Sequence, residues 1–258
     1  MTSTAVRVER SRRAPPRVGA FFDMDKTLIA ENSGSVYMRY RYERGEVGTV
    51  ELLRGLADYM RYKAGVLDLP SWARATMLEF AGRTEADLAA EARDIFDDQI
   101  ADLVYPEAAE LVRDHLEQGH VVAIVSGSTR YAVEPLAAHL GVEHSLFTGL
   151  EVDDGILTGR VIEPICFEEG KIYWLRHFID DHGIDLARSW FYTDSVTDLP
   201  LLELVGHPIV VNPDPRLYRT AVRRRWPVRV FSKPGAGLAG DGEGAVEEAP
   251  EADDPARA

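Results

Sequence analysis

Gly19-Ala20-Phe21-Phe22-Asp23-Met24-Asp25-Lys26-Thr27-Leu28-Ile29 sets two carboxylates and a threonine at alternate positions directly behind a short apolar run. Val18 to Phe22 reads as a buried strand, being short, apolar and preceded by Pro15-Pro16. Asp23 then falls at the carboxyl end of that strand. In an open parallel sheet this edge is where ligands bind, so paired carboxylates there point to chemistry. On this stretch alone two other readings stay open: a polar turn that closes a strand, and the manganese-binding D-x-D of a glycosyltransferase.

Working outward, the chain has 258 residues, 45% hydrophobic and 28% charged, enough for one domain with a sizeable core and an insert. A net charge of -14 argues against a general nucleic-acid binder, whose phosphate contacts need clustered lysine and arginine. Arg223-Arg224-Arg225 beside Trp226 is the basic cluster of the body and reads as a solvated helix end. The single cysteine, Cys166, excludes an internal disulfide and a zinc site built on paired cysteines, and it fits a reducing cytoplasm. No apolar run of about 18 residues occurs, and the N-terminal arginines have no apolar segment behind them, so neither a membrane span nor a signal peptide is expected.

Residues 1–17 carry Arg7, Arg10, Arg12, Arg13 and Arg17 against Glu9, with no apolar periodicity, and read as a disordered arm. From Ser33 to about Leu103 apolar residues recur at spacings of three and four, which predicts a helical insert at 33–103 after the first strand. Thr84 followed by Asp87 resembles a capping box there. Beyond Pro106, helix and strand alternate. Glu107 to Gln118 is helical and ends at Gly119, and Val121 to Val125 is an apolar strand of the buried parallel kind. Arg130 to His139 reads as helix, with Pro135 either in a first turn or at a kink. Asp153-Asp154-Gly155 marks a hairpin, Glu168 to Asp181 a helix, Trp190 to Tyr192 a strand, Leu199 to Val205 a short helix, and Pro208 to Val211 a further strand. Val228 to Phe231 suits an edge strand. From Ser232 the composition turns acidic and Gly/Pro-rich, so 232–258 reads as a disordered tail. Its Gly235-Ala236-Gly237-Leu238-Ala239-Gly240 matches a dinucleotide fingerprint only by accident, since Asp241-Gly242-Glu243-Gly244 supplies no helix to follow it.

Polar groups therefore stand at the carboxyl ends of predicted parallel strands, or on the helix between two of them: Asp23 with Asp25, Ser126, Lys171, and Asp194 with Asp198. Taken singly, Ser126 also suits a helix cap, Lys171 a solvated helix face, and Asp194 and Asp198 caps of the Leu199 helix. In this order the set resembles the haloacid dehalogenase superfamily of phosphohydrolases, and most closely its subfamily with a helical cap between the first two motifs, which includes the phosphoserine phosphatases. The resemblance covers about residues 18–231. Asp23-Met24-Asp25-Lys26-Thr27 matches the first motif, D-x-D-x-T; Ser126 the second; Lys171 the third; Asp194 and Asp198 the acidic fourth. Thr193 stands where the family often has glycine. The implied fold is α/β: a Rossmann-like open parallel sheet flanked by helices, made of residues 18–32 and 104–231, with residues 33–103 as an α-helical cap.

The resemblance implies a division of labour that phosphoryl transfer requires. Asp23 is the nucleophile, and Asp25 protonates the leaving alcohol and then deprotonates water. Mg2+ is implied as cofactor, held by Asp23, the Asp25 carbonyl and Asp194, with Asp198 orienting a metal-bound water. Ser126 and the Gly127 amide hold phosphate oxygens, Lys171 offsets charge and positions Asp23, and Thr27 supports the Asp25 loop. The expected partner is a small phosphorylated metabolite, with neither nucleic acid nor membrane. A catalytically silent member of the fold, acting as a binding module, is the other reading, and retention of both Asp23 and Asp25 speaks against it. In phosphoserine phosphatases the ninth residue after the nucleophile is typically a glutamate that pairs with the substrate's amino group. Here it is Asn32, with Glu31 one residue off, which leaves Tyr37, Arg39, Tyr40 and Arg41 as candidates either to meet the leaving group or merely to pack.

Overall fold

A computed structural model describes residues 16–63, 66, 68–234 and 246–247. Strands β1 (Gly19–Phe22), β2 (Val121–Thr129), β3 (His144–Thr148), β4 (Leu150–Asp153), β5 (Ile156–Val161), β6 (Trp190–Thr193), β7 (His207–Val211), β8 (Val228–Arg229) and β9 (Val246–Glu247) alternate with helices along most of the chain. The main sheet has the order β3-β2-β1-β6-β7-β8-β9, parallel from β3 through β8, while β4 and β5 form a separate antiparallel ribbon. The first strand in sequence therefore lies in the middle of the sheet. All four of its residues are buried, as an apolar run between two helical layers must be.

The two faces of β1 seed the two halves of the core. Ala20 and Phe22 face α5 (Pro106–Glu117) and α6 (Arg130–Leu140), with Phe22 stacked on Tyr192 at 4.4 Å and 3°. Phe21 faces the side covered by α7 (Glu169–His182), α8 (Leu199–Leu202) and α9 (Pro215–Arg224), its ring edge-on to Phe178 at 6.3 Å. With β1, β2 and β6 buried between the two helical layers, the polar residues that follow them emerge at the carboxyl edge.

Between β1 and β2 the chain forms α1 (Ser33–Glu43), α2 (Thr49–Lys63), α3 (Leu69–Met77) and α4 (Glu85–Ile95). Thr84 caps α4 by accepting from the Asp87 N–H at 3.0 Å. The β4–β5 ribbon is bonded to this insert through its backbone. Gly82 N donates to Leu157 O, Leu157 N to Arg83 O, and Glu85 N to Gly155 O, each at 2.9 Å. Phe80, Leu88, Tyr131, Leu150 and Leu157 close a small apolar cluster beneath the same seam.

Several readings from the sequence need correction. Arg17 belongs to the core, not the arm: its N–H donates to Gly183 O and its carbonyl accepts from Asp185 N, both at 2.9 Å, a pairing that composition does not register. Val246–Glu247 of the acidic tail adds to β8 as an antiparallel strand, because the outer edge of β8 offers backbone groups that any sequence can pair. Residues 1–15 and the Gly235–Gly240 stretch lie outside the described residues. Strand β3 was not foreseen, because His144–Thr148 is a half-exposed strand without an apolar run. Pro135 sits inside α6, beyond its first turn. Among the described residues no helix is long and apolar enough to cross a membrane.

Helix α7 packs close at its start. A Cβ on Gly170 would fall on the Ile165 carbonyl, a backbone atom that cannot step aside alone. Gly170→Ala is expected to cost about 1–3 kcal/mol, as overpacking does, or roughly 2–12 °C in Tm for a chain of this size. A thermal melt that matches the parent would show that this approach is relaxed.

Candidate active site

The carboxyl edge of the sheet gathers the polar residues. Asp23 extends the β1–β6 ladder by one bond, its N–H donating to Tyr192 O at 2.9 Å. The chain then turns tightly: Met24 O accepts from the N–H groups of Thr27, Leu28 and Ile29. Lys26 takes a φ of +60° within this turn, a left-handed conformation that costs a non-glycine residue energy. Glu168, just ahead of α7, is similarly placed at +46°.

Lys171 enters from the first turn of α7 and is 3% exposed. Its Nζ lies 2.7 Å from Asp23 Oδ1 and 2.9 Å from Asp198 Oδ2. Asp198 Oδ2 accepts a second bond from Thr193 Oγ1 at 2.8 Å, and that hydroxyl accepts from Ser195 N at 3.1 Å. The other oxygen, Asp198 Oδ1, is buried with no partner. The loop carrying Asp194 is tied down by Asp214, whose N–H donates to Asp194 O at 2.8 Å and whose Oδ2 accepts from Val196 N at 2.7 Å.

Asp25 has a different environment. Its Oδ2 accepts from Asn32 Nδ2 at 2.9 Å and from Ser33 Oγ at 3.2 Å, and its Oδ1 accepts from Ser33 N at 2.9 Å. Ser33 Oγ lies 2.8 Å from Ser128 Oγ, and Ser128 N donates to Ser126 Oγ at 3.1 Å. Gly127 is held at the same strand end by Thr148 Oγ1, which donates to its carbonyl at 2.8 Å.

The electrostatics follow from burial. Asp23 is raised to about 7, chiefly by desolvation and then by the charge of Asp198, against the Lys171 ammonium, which lowers it. Burial alone would lower Lys171, but Asp198 and Asp23 outweigh it and hold the ammonium well above its ordinary range. Asp25 is raised by burial, against the hydrogen bonds from Ser33 that lower it. Asp194 is raised well above the usual carboxylate range by burial and then by the charge of Asp23. Burial pushes the Cys166 thiol up to about 12, so it stays protonated.

The alternatives left open by single residues are resolved by these contacts. Lys171 is buried, not solvated. Asp198 stands at the N-cap position of α8 but makes no capping bond, and Ser126 Oγ serves Ser128 instead of the start of α6. Thr27 is buried and its hydroxyl has no hydrogen-bond partner; its N–H donates to Met24 O within the turn that carries Asp25. Ser33, Ser128 and Asp214 were not singled out from the sequence, since a serine or a helix-capping aspartate carries no signal until the fold brings it beside a carboxylate.

Among the described residues, no three His, Cys, Asp or Glu side chains group as a closed metal cage. The donors at this edge are nevertheless hard oxygen groups, and two carboxylates plus the Asp25 carbonyl suit a cation that keeps several waters. The burial of Asp194 and, after it, the charge of Asp23 that raise this carboxyl are conditions such a cation relieves. The residues present thus fit a divalent ion.

The sequence model for haloacid dehalogenase-like hydrolases matches residues 20–203. A phosphoserine phosphatase of Mycobacterium tuberculosis (strain ATCC 25618 / H37Rv) is 32% identical over 86% of this chain and 74% of its own length. A histidinol-phosphatase of Neisseria meningitidis serogroup C (strain 8013) is 31% identical over 82% of this chain and 98% of its own. Among solved structures, a protein of unknown function from Bordetella pertussis Tohama I superposes with a TM-score of 0.75 at 33% identity, covering 83% of this chain and 98% of the other.

A carboxylate held above its unfolded pKa penalises the fold when ionised. The penalty is complete above the folded-state pKa and fades as pH falls toward the model-compound value of 3.8. Asp194→Asn is therefore expected to melt a few degrees above the parent at pH 8 in the presence of a chelator, with the gap narrowing toward pH 5. Melting curves at the two pH values check this; a variant that melts below the parent at pH 8 contradicts it.

Proposed function

The chain belongs to the haloacid dehalogenase-like hydrolase family, and on that premise we propose that it is a magnesium-dependent phosphomonoesterase that cleaves a small phosphorylated metabolite through an aspartyl-phosphate. The observation that carries this reading is the contrast between two neighbouring carboxylates. Asp23 rests on the Lys171 ammonium, whereas Asp25 is held by the neutral donors Asn32 and Ser33. Separate environments of this kind assign separate roles.

In the first step an Asp23 carboxylate oxygen bonds to phosphorus as the bond to the leaving oxygen breaks, and the Asp25 proton passes to that oxygen. In the second, water gives a proton to Asp25 and bonds to phosphorus, which releases inorganic phosphate and restores Asp23. Lys171 holds Asp23 in place and offsets the charge that accumulates around the phosphoryl group. Ser126 and the Gly127 amide bind phosphate oxygens. Asp23, Asp194 and the Asp25 carbonyl would hold Mg2+, which screens the repulsion between nucleophile and phosphate dianion. Residues 33–103 form the cap over the leaving group, and the setting is cytoplasmic.

The phosphatase names of the two relatives support the reaction class. The contacts around α1 argue against phosphoserine as the preferred substrate. Asn32 is committed at both ends, with Oδ1 accepting from Ser35 N and Nδ2 donating to Asp25. Glu31 is paired with Arg39 at 2.9 Å. Neither offers a free anion to an ammonium, and charge-assisted bonds are the strong ones. The cap candidates are engaged as well: Tyr40 is buried in the core, Tyr37 packs on Phe80, and Arg41 pairs with Glu79.

Asp23→Asn is expected to reduce turnover of p-nitrophenyl phosphate in magnesium below about 1% of the parent, since covalent catalysis of this kind supplies several kcal/mol. Greater residual activity in a folded variant counts against the aspartyl-phosphate. On a panel of sugar, polyol and amino-alcohol phosphates, phosphoserine is expected not to lead in kcat/KM. A lead of about tenfold, or 1.4 kcal/mol, would reassign Glu31 as an amino-group partner.

A further inference from the structure

The first two residues at the cap entrance do more than begin a helix. Asn32 caps α1, its Oδ1 accepting from Ser35 N at 3.1 Å, and the same amide donates from Nδ2 to Asp25 Oδ2 at 2.9 Å. Ser33, the first residue of α1, supplies both its N–H and its hydroxyl to Asp25, at 2.9 and 3.2 Å. That hydroxyl also meets Ser128 Oγ at 2.8 Å, and Ser128 N donates to Ser126 Oγ. One continuous chain of hydrogen bonds thus joins the start of the cap, the Asp25 carboxyl and the end of β2. The bonds to Asp25 come from outside its own turn, and α1 must be seated for them to form. A carboxyl group with both oxygens so engaged is fixed in rotation, which proton transfer to a particular leaving oxygen demands.

We propose that Asn32 and Ser33 are positioning residues that aim Asp25 at the leaving-group oxygen when α1 is seated, with Ser128 bracing Ser33 from β2. This rests on the phosphatase reading above. It separates two duties within one side chain: the Asn32 Oδ1 stabilises α1, and its Nδ2 serves the reaction. The second step, in which Asp25 takes a proton from water, is common to all esters, so loss of this duty is read in kcat/KM, which reports the first step alone, and there it shows itself only where the leaving group needs a proton. A nitrophenolate departs without a proton, whereas an alkoxide does not.

Asn32→Ser separates these duties, because serine is as good an N-cap as asparagine but cannot reach Asp25 as an amide does. The full chain in magnesium is assayed on p-nitrophenyl phosphate and on glycerol phosphate, together with Ser33→Ala and a thermal melt of each variant. Asn32→Ser is expected to melt with the parent. Its kcat/KM on glycerol phosphate should fall at least about tenfold further than on p-nitrophenyl phosphate, a part of the 10²–10⁴ that general acid catalysis supplies. Ser33→Ala should show the same selective loss, and Ser33→Thr, which keeps the hydroxyl, should restore it. An equal loss of kcat/KM on both esters, or none, overturns the proposal while leaving the phosphatase reading in place. No turnover of either ester by the parent overturns both.

Discussion

One ammonium shared by two buried carboxylates holds this site together. Lys171 bridges residues that follow different strands, Asp23 after β1 and Asp198 beyond β6, and it reaches them from α7 on a third segment. Three charges in a space closed to water are costly unless paired, and here two negative groups face one positive. The deficit is not spread evenly. Thr193 adds a bond to Asp198, while Asp23 is pushed upward, first by its burial and then by the charge of Asp198, against the Lys171 ammonium. A carboxylate so raised, next to an orphaned oxygen on Asp198, is a poor arrangement for stability and the kind of perturbed group that marks functional sites.

The scaffold makes that arrangement possible by rigidity. Phe21 and Phe22 point into opposite layers, so β1 cannot rotate or slip without emptying both. The Asp23 N–H continues the ladder onto Tyr192, so the Asp23 backbone is as fixed as the strand it follows. Past that point Lys26 and Glu168 take left-handed backbone, in the turns that deliver Asp25 and Lys171.

Much of this was legible in the chain itself. The apolar runs of β1, β2, β6 and β7 announce strands buried on both faces, and the polar residue after each announces the edge where they end. The capping threonine of α4 and the hairpin at Asp154-Gly155 could also be read directly. Illegible features share one cause: they depend on partners far away in sequence. β3 has too little apolar residue to signal itself and exists because β2 offers it an edge. Ser33 and Ser128 lie 95 positions apart, and their hydroxyls acquire meaning only when α1 is laid over the end of β2. Arg17 and Val246–Glu247 pair through backbone atoms, which composition cannot weigh.

The seam between the β4–β5 ribbon and the helical insert has a further consequence. Backbone bonds from Gly82, Leu157 and Glu85 fasten the insert to the hairpin, and Arg74 of α3 pairs with Glu163 just beyond it. Ribbon and insert therefore form one mechanical block. Changes in length between homologous chains should gather in the α1–α2 and α2–α3 connections, where no such fastening exists among the described residues. The Asp153–Gly155 turn, though exposed and hairpin-like, should resist insertion, because the Gly155 carbonyl is the anchorage for the start of α4. What looks like an ornamental loop on the core is the coupling from which the helical insert is hung.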